Sequence, residues 1–187
     1  MKNNFFVHPS SIVDTNHIGD DSRIWAFVHI LKGAVIGKKA NICDFCFVEN
    51  EVIIGDNVTV KCGVYLWDGV TVENNVFIGP SAVFTNDLLP RSKNTNYIKR
   101  NIVLKDGCSV GANATIIAGI TVGANAMIGA GSVVTKDIGD YELVYGNPAV
   151  HKGYVCKCGE KLIFKDDKAL CKCGLFFRNK DKVVSII

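Results

Sequence analysis

An apolar residue stands at every sixth position of two long stretches of this chain, residues 12–84 and residues 98–134. Only 48% of the chain is hydrophobic, so chance does not produce an unbroken pattern of this length. A strict period of six is typical of solenoids in which short parallel strands wind into a β-helix. The fourth residue of many repeats is Gly, Asn or Asp, and these residue types accept the left-handed backbone angles of a tight corner.

Three repeats make one triangular coil, so residues three repeats apart should stack on neighbouring coils. Their separation is then about 4.8 Å, the spacing of paired strands. Residues 12–134 lack the helical period of 3.6, which disfavours the alternative of an α/β protein with separate short strands. We therefore predict an all-β chain, with a parallel β-helix over residues 1–138, a connecting segment over 139–153 and a small tail over 154–187.

The repeat is interrupted between Phe84 and Ile98, because these two apolar residues are separated by more than two repeats instead of one. The excess over a single repeat indicates an insertion of eight residues, and we predict a protruding loop over residues 85–97. If Ile98 begins the next face, one column of corner residues can be followed across the loop. That column contains Lys32, Asn50, Asp68, Asn86, Ala112 and Ala130.

The loop emerges where this column changes from polar to small side chains. Asp68 and Asn86 are three repeats apart and should be neighbours, with Asp87 beside them. An ionisable cluster beneath an exposed loop is a candidate functional site. The alternative is an ordinary solvated corner, because Asn and Asp are common in turns.

Charge and composition exclude several classes of function. The net charge of +3 is too small to indicate nucleic acid binding, and residues 1–8 lack the apolar core of a signal peptide. No apolar run approaches the length of a membrane span. We therefore expect a cytoplasmic protein with neither nucleic acid nor membrane as a partner, whose eight cysteines stay reduced. Cys46 and Cys108 fall at inward positions and should be small core residues.

Two matched Cys-x-Cys-Gly segments lie in the tail, at residues 156–159 and 171–174. Their cysteines are Cys156, Cys158, Cys171 and Cys173. Four thiolates suit a tetrahedral zinc ion, and a closed four-cysteine site is structural rather than catalytic. We therefore predict a zinc-ribbon-like tail, and the alternative is four free cysteines in a disordered tail.

Several segments resemble sugar-nucleotide 3-N-acetyltransferases of bacterial surface-glycan and lipopolysaccharide biosynthesis, which are left-handed β-helix enzymes. The specific part of the resemblance lies in Val-Tyr-Leu-Trp-Asp-Gly-Val (64–70), Val-Phe-Ile-Gly-Pro (76–80), Phe-Thr-Asn-Asp (84–87) and Pro-Arg-Ser (90–92). Gly-Ala-Asn-Ala-Thr (111–115), Ile-Gly-Ala-Gly-Ser-Val-Val-Thr (128–135) and Gly-Asn-Pro-Ala (146–149) are shared more widely among hexapeptide acyltransferases. The resemblance covers roughly residues 8–150.

The resemblance implies a left-handed helix, a homotrimer with active sites between neighbouring subunits, and acetyl-CoA as the acyl donor. The acceptor would be an amino group on a nucleotide-linked sugar. By position, Asp68, Asn86 and Asp87 match the residues that hold this amine in catalysis. Residues matched to the cofactor are Gly111, Ala112, Gly129 and Ala130 along the pantetheine, and Lys136 and Pro148 near the adenine end.

Four further residues are candidates for substrate binding: Trp67, Phe84, Arg91 and His29. Trp67 could stack on a base or sugar, although an outward aromatic residue could equally pack in a trimer interface. Arg91, in the loop, could meet a phosphate of either substrate, and the alternative is a solvated side chain. His29 is expected at a corner one face away from the site.

An amine acceptor agrees with the residues present. A hydroxyl acceptor needs a base, usually His, and none of the four histidines lies in residues 85–97. Their scatter also disfavours a three-histidine metal hydratase, and the polar column disfavours a non-enzymatic scaffold. Two sugars remain open, a dTDP-linked 3-amino-3,6-dideoxyhexose and UDP-2-acetamido-3-amino-2,3-dideoxy-glucuronate. Asp87 favours the deoxysugar, because its charge would repel a glucuronate carboxylate.

Overall fold

The structure is a computed structural model that describes residues 4–96 and 98–187. Residues 1–3 and Tyr97, the last residue of the expected loop, lie outside the described residues. Every regular element in the described ranges is a β-strand. None of the residues described belongs to a helix that is long and apolar enough to cross a membrane.

The strands of the β-helix stack in three parallel sheets, which we call faces A, B and C. Face A contains β1 (Phe6–Val7), β3 (Arg23–Ile24), β6 (Asn41–Ile42), β9 (Thr59–Val60), β12 (Phe77–Ile78), β15 (Ser109–Val110), β18 (Met127–Ile128) and β20 (Glu142–Gly146). Face B contains β2 (Ile12–Val13), β4 (His29–Ile30), β7 (Phe47–Val48), β10 (Tyr65–Leu66), β13 (Val83–Phe84), β16 (Thr115–Ile116) and β19 (Val133–Val134). Face C contains β5 (Val35–Ile36), β8 (Ile53–Ile54), β11 (Val70–Val72), β14 (Ile102–Leu104) and β17 (Thr121–Val122).

The core of the β-helix is a stack of apolar side chains, one from each short strand. The period of six puts these residues inside the coil, and nearly all of them are fully buried from Ile24 upward. The inward cysteines Cys46 and Cys108 are buried as predicted. The predicted corners are confirmed by Asn113 and Asn125, whose φ angles are 55° and 56°. Each coil thus buries an aliphatic stripe, which is the main source of its stability.

The insertion is longer than the sequence pattern indicates. Tyr65 pairs with Val83 after the regular three repeats, whereas Val83 pairs with Thr115 only after more than five. The excess over one coil is fourteen residues, so the prediction of eight inserted residues is wrong. Ile98 lies outside any strand and is 70% exposed. It matches the period only because it precedes Leu104, a true core residue, by six positions.

This register also corrects the corner column. The corner between faces B and C, called corner BC, carries Lys32, Asn50, Asp68, Asn86, Ala118 and Lys136. The corner between faces A and B, called corner AB, carries Ala26, Asp44, Cys62, Pro80, Ala112 and Ala130. Backbone bonds confirm the second column, because Asn113 N donates to Pro80 O and Gly131 N donates to Ala112 O. Ala112 and Ala130 therefore do not continue the column of Asp68 and Asn86.

The chain does not leave the β-helix abruptly at its carboxyl end. Residues 139–153, expected as a connecting segment, include β20, which pairs in parallel with β18, and much of β21 (Ala149–Val155). Strand β21 turns back along β20 and then pairs with β22 (Lys161–Leu162). A separate sheet follows, made of β23 (Lys168–Leu170), β24 (Phe176–Lys180) and β25 (Val183–Ile186). The last coil is thus capped by a small antiparallel unit, as solenoids require.

Candidate active site

Asp68 and Asn86 lie at equivalent positions of consecutive coils, because Tyr65 and Val83 pair in register just before them. Both side chains are half-buried at corner BC. A hydrogen bond from Trp67 Nε1 to Phe84 O, 3.0 Å long, joins the two coils at this level. The neighbourhood expected from the spacing of three repeats is therefore present in the structure.

Both aspartates of this cluster already have hydrogen-bond partners within the chain. Asp68 Oδ1 accepts a hydrogen bond from Glu51 N at 2.7 Å, and Asp68 N donates to Glu49 Oε2 at 2.6 Å. Asp87 Oδ1 accepts from Leu89 N at 2.8 Å, which starts the turn of the loop. One oxygen of each aspartate thus stabilises the backbone, and the second oxygen of a carboxylate can accept a hydrogen bond from a ligand.

The loop returns along the corner from which it leaves. Arg100 N donates to Asn86 O at 3.0 Å, closing the loop at its base. Lys99 forms an ion pair with Glu51, which follows Asn50 and lies two coils below Asn86. A Cβ placed on Gly119 would lie 3.7 Å from Arg100 Cβ, so the arginine stem covers the corner above Asn86. The returning segment therefore brings two cations to the candidate site.

Two cavities lie against the loop, and Asp87 lines both. The first, of about 360 Å³, is also lined by Asn94 and Arg100. The second, of about 490 Å³, is also lined by Asn86 and Arg91. Arg91 Nη1 donates to Pro90 O at 2.8 Å and the residue is exposed. The predicted residues Asn86, Asp87 and Arg91 are thus brought together around one open cavity.

Trp67 and His29 line a different feature, a groove of about 450 Å³ on the outside of face B. His29 lies on strand β4 of this face rather than at a corner one face away, and its Nε2 is 3.5 Å from Asp14 Oδ2. The groove is lined by Phe27, His29, Phe45, Cys46, Phe47, Tyr65 and Trp67. The aromatic residues Phe47 and Tyr65 were missed from the sequence, although each precedes a core residue of face B and so points outward.

The side chain of Phe84, a candidate for substrate binding, points into the β-helix rather than toward its surface. Its ring is buried in the core of the β-helix, with 2% of its surface exposed. The residue stands at the inward position of the repeat, which explains the burial. Its contribution to the site is the carbonyl oxygen that accepts the bond from Trp67.

The four residues matched to pantetheine lie at corner AB, across face B from Asp68. The two glycines have a structural explanation in close coil packing. A Cβ on Gly111 would be 2.4 Å from Ala130 N, and one on Gly129 would be 2.7 Å from Tyr145 Cβ. Ala112 is half-buried and Ala130 is exposed, so the surface of corner AB remains open beside them.

Corner BC continues upward from Asn86 through Ala118 and Lys136, and sequence analysis missed Ala118 because of the wrong insertion length. Lys136 and Pro148, both predicted near the adenine end of the cofactor, line one cavity of about 290 Å³. His151 lines the same cavity, and its Nδ1 is 2.8 Å from Glu142 Oε1. The cavity lies between the last coil and the β20–β21 hairpin.

The four tail cysteines converge on one point. Cys156 Sγ is 3.5 Å from Cys173 Sγ, Cys158 Sγ is 3.4 Å from Cys171 Sγ, and all four sulfurs lie within 4.8 Å of one another. A tetrahedron of sulfurs around zinc has edges of about 3.8 Å, since each Zn–S bond is about 2.3 Å. Gly159 N donates to Cys156 O and Gly174 N donates to Cys171 O, which gives two equivalent turns. The donor set and its geometry fit a tetrahedral metal ion.

The surroundings of these thiols differ. Burial raises the pKa of Cys156 to about 12, whereas a hydrogen bond from the backbone of Leu175 lowers the pKa of Cys173 to about 7. Backbone donors around sulfur favour the thiolate form, which is the form that binds metal.

Comparison with known proteins agrees with the register. The profile of the family described as bacterial transferase hexapeptide (six repeats) matches residues 51–86 and 101–136. The unmatched segment between them, residues 87–100, is as long as the insertion that the strand pairing identifies.

A hexapeptide-repeat containing acetyltransferase from Vibrio cholerae has the same fold. Its structure is 27% identical to this chain, covers 74% of it and 73% of its own length, and gives a TM-score of 0.55. The complex of that protein with acetyl coenzyme A, from Vibrio cholerae O1 biovar eltor, covers 74% of this chain and 70% of its own, at 27% identity and a TM-score of 0.51.

A nearer relative extends along almost the whole chain. The dTDP-3-amino-3,6-dideoxy-alpha-D-galactopyranose 3-N-acetyltransferase of Aneurinibacillus thermoaerophilus is 58% identical over 180 residues, which are 96% of this chain and 94% of the relative. A match of this extent spans the loop, the corners and the cysteine tail. The chain therefore belongs to the family of hexapeptide-repeat sugar-nucleotide 3-N-acetyltransferases.

Proposed function

We propose that this protein transfers the acetyl group of acetyl-CoA to the 3-amino group of a dTDP-linked 3-amino-3,6-dideoxyhexose, for the synthesis of lipopolysaccharide or a related surface glycan. The observation that carries the proposal is the 58% identity, over almost the full length, to an enzyme named for that reaction. The polar cluster at corner BC supplies the chemistry that such an acceptor needs. The eight cysteines, all within the described residues, form no disulfide bonds, which supports a reducing, cytoplasmic location.

Asp68 and Asp87 are suited to bind the amine of the sugar, and Asn86 to orient it. The sugar ammonium first gives one proton to water or to a carboxylate, and the neutral nitrogen then bonds to the acetyl carbon and becomes positively charged. Collapse of the intermediate breaks the carbon–sulfur bond, and CoA leaves as thiolate or thiol, with a pKa of about 8.5 for an ordinary thiol. This thiolate can take the second proton, which the nitrogen loses as the amide forms, so the reaction needs no strong base.

A homotrimer with face B around the threefold axis accounts for two features together. The outside of face B carries exposed apolar residues, including Phe45, Tyr65 and Val83, which association would bury. Corners AB and BC flank this face. A threefold rotation therefore puts corner BC of one copy beside corner AB of the next, and joins Asn86 to the Ala112 surface of a neighbour.

In this arrangement the acetyl-CoA molecule runs between two copies. The pantetheine arm passes the open surface of Ala112 and Ala130 on one copy, opposite Ala118 on the other. Lys136, whose ammonium forms no ion pair with the described residues, faces a phosphate of CoA in the 290 Å³ cavity. Pro148, on the wall of the same cavity, packs against the adenine ring.

The tail cysteines hold one structural zinc ion per chain. The support is the convergence of four thiols at distances that fit a tetrahedral site. Metal analysis of protein purified without added zinc should give a stoichiometry near one, lowered by Cys171→Ser and unchanged by Cys62→Ser. A stoichiometry near zero for the native protein would refute this assignment.

Thermal shift with each substrate class tests the function. Acetyl-CoA and a dTDP-linked 3-aminosugar should each raise the melting temperature, and together they should yield the N-acetyl product by mass spectrometry. UDP-2-acetamido-3-amino-2,3-dideoxy-glucuronate should be a poor acceptor, because Asp87 repels its carboxylate. Preference for that sugar would identify the alternative branch, O-acetylation of a hydroxyl sugar would identify a hydroxyl acetyltransferase, and failure to bind acetyl-CoA would favour a scaffold.

A further inference from the structure

Strand β21 connects the proposed cofactor cavity to the cysteine cluster without an intervening loop. Its first residues, including Ala149 and His151, line the 290 Å³ cavity. Its last residue, Val155, is followed directly by Cys156. Strand β21 is continuous over seven residues and pairs with β20 through a bulge at Leu143/Val144, so the cavity wall and the first cysteine belong to one hydrogen-bonded hairpin.

The hairpin also rests on the tail through side chains. Tyr141, which directly precedes β20, packs its ring against Phe177 of β24 with centroids 5.5 Å apart. Val155 N donates to Tyr141 O at 2.8 Å, which ties the end of β21 to the same point. Within the described residues, Glu142 and Val144 of β20 complete the cavity wall. The start of β20 and the end of β21 are therefore both held by the tail.

The tail has too little apolar surface to hold this position by itself. Its buried cluster is made of Cys156, Leu162, Ala169, Cys171, Phe177 and Val184. Two of these six residues belong to the cysteine cluster, so their packing depends on how the thiols are held. A unit this small usually requires a metal or disulfides to fold, and metal binding then supplies folding free energy.

We propose that the metal-organised tail positions the β20–β21 hairpin as one wall of the acetyl-CoA site, so that metal occupancy sets the affinity for acetyl-CoA. The inference rests on the proposed function for the identity of the ligand, and on the strand geometry for the coupling. The proposed acceptor residues lie on lower coils than the tail: Asp68, Asn86 and Asp87. Acceptor binding should therefore not respond to the metal. The tail residues are positioning residues, since their place in the fold is behind the cavity wall rather than on it.

The experiment compares native protein with Cys158→Ser and Cys173→Ser, which change the two exposed cysteines of the cluster. Cys62→Ser changes an exposed cysteine of the β-helix and is the matched control. Zinc content is measured for each protein, together with hydrogen exchange of residues 142–155 and calorimetric binding of acetyl-CoA and of dTDP. Native protein stripped by a chelator provides a second metal-free sample with no sequence change.

Loss of zinc should speed hydrogen exchange in residues 142–155 and weaken acetyl-CoA binding about tenfold, the usual range of coupling between two sites. The KM for acetyl-CoA should rise, whereas kcat and the affinity for dTDP should stay unchanged. Cys62→Ser should behave as the native protein does. Unchanged exchange after zinc loss would overturn the coupling, as would equal weakening of both ligands. If native protein binds no acetyl-CoA, the proposed function fails. The hydrogen-exchange measurement still tests whether zinc in the tail holds the β20–β21 hairpin in place.

Discussion

The indole nitrogen of Trp67 donates a hydrogen bond to the carbonyl oxygen of Phe84 at 3.0 Å. Trp67 directly precedes Asp68, and Phe84 stands two residues before Asn86. The bond therefore fixes two consecutive coils at the level where the proposed acceptor residues lie. Preorganised side chains of this kind are what a transfer reaction between two bound substrates requires.

Asn86→Ala should lower kcat/KM for the aminosugar nucleotide by about 100-fold or more, because it removes a group that orients the nucleophile. Asp68→Asn should have a similar effect, while its amide oxygen can still accept the bond from Glu51 N and so preserve the corner. Steady-state kinetics with both substrates measures the effect, and acetyl-CoA affinity should change little. Asn41→Ala, on the outside of face A, is the control. Near-native turnover of both site variants would exclude this assignment.

Mixed trimers should recover activity if each site is shared between copies. Asn86→Ala damages corner BC, and Ala112→Trp fills the open surface at corner AB, so each variant alone should be inactive. In trimers assembled from equal amounts of both, about a quarter of the sites combine an intact corner BC with an intact corner AB, because the contact in a threefold ring is head-to-tail. Co-expression with two affinity tags and an activity assay tests this. No recovery in verified mixed trimers would place the complete site within one copy.

Lys136→Met should raise the KM for acetyl-CoA about tenfold and leave kcat nearly unchanged, since it removes a charge-assisted bond to a phosphate but no group that touches the reacting atoms. Comparison with acetyl-3′-dephospho-CoA identifies which phosphate is bound. If the 3′-phosphate is the partner, the variant should no longer discriminate between the two donors. Lys38→Met, on a corner away from face B, should keep native KM values. An equal rise in the KM for the aminosugar nucleotide would indicate a general defect of the variant instead of a lost contact with acetyl-CoA.

The buried thiols predict a loss of stability at alkaline pH. Burial raises the pKa of Cys46 and of Cys108 to about 12, from an ordinary value of 9.0 that applies to the unfolded chain. Between these values the unfolded chain releases thiol protons that the folded chain retains, so the free energy of unfolding falls as pH rises above about 9. Each thiol should contribute on the order of 1 kcal/mol between pH 9 and 10.

Urea unfolding at pH 8, 9 and 10 measures this loss. Cys108→Ala should make the free energy of unfolding fall less steeply with pH. Cys62→Ser, at an exposed thiol, should leave the slope as in the native protein. Thiol labelling at pH 8 should modify Cys108 only after unfolding. Equal slopes for native protein and Cys108→Ala would show that burial of this thiol does not affect the stability.

The sequence predicted the β-helix and its corners because the period of six reports burial directly. An inward position that is always apolar leaves few alternatives for the path of the chain. The pairing of Asp68 with Asn86 follows from the same period, since no insertion lies between them. These two residues could therefore be placed correctly without knowledge of any contact.

The column above Asn86 was predicted wrongly, for a physical reason. The period records which side of the chain faces the core, but a loop outside the coil has no such constraint. Ile98 continued the pattern by coincidence, and only strand pairing shows that the core resumes at Ile102 and Leu104, opposite Val70 and Val72. The aromatic groove on face B was also missed. The period of six predicts which residues are buried in the core, but it does not predict which outward residues form a groove.

The loop of corner BC starts and ends at a single hydrogen-bonded point, from Arg100 N to Asn86 O. Because its ends meet, its length costs little free energy and does not shift the coils on either side. Segments of this kind tolerate insertion and replacement. An engineer could therefore exchange residues 87–100 for the corresponding loop of another acyltransferase, and alter acceptor choice while the rest of the scaffold is left intact.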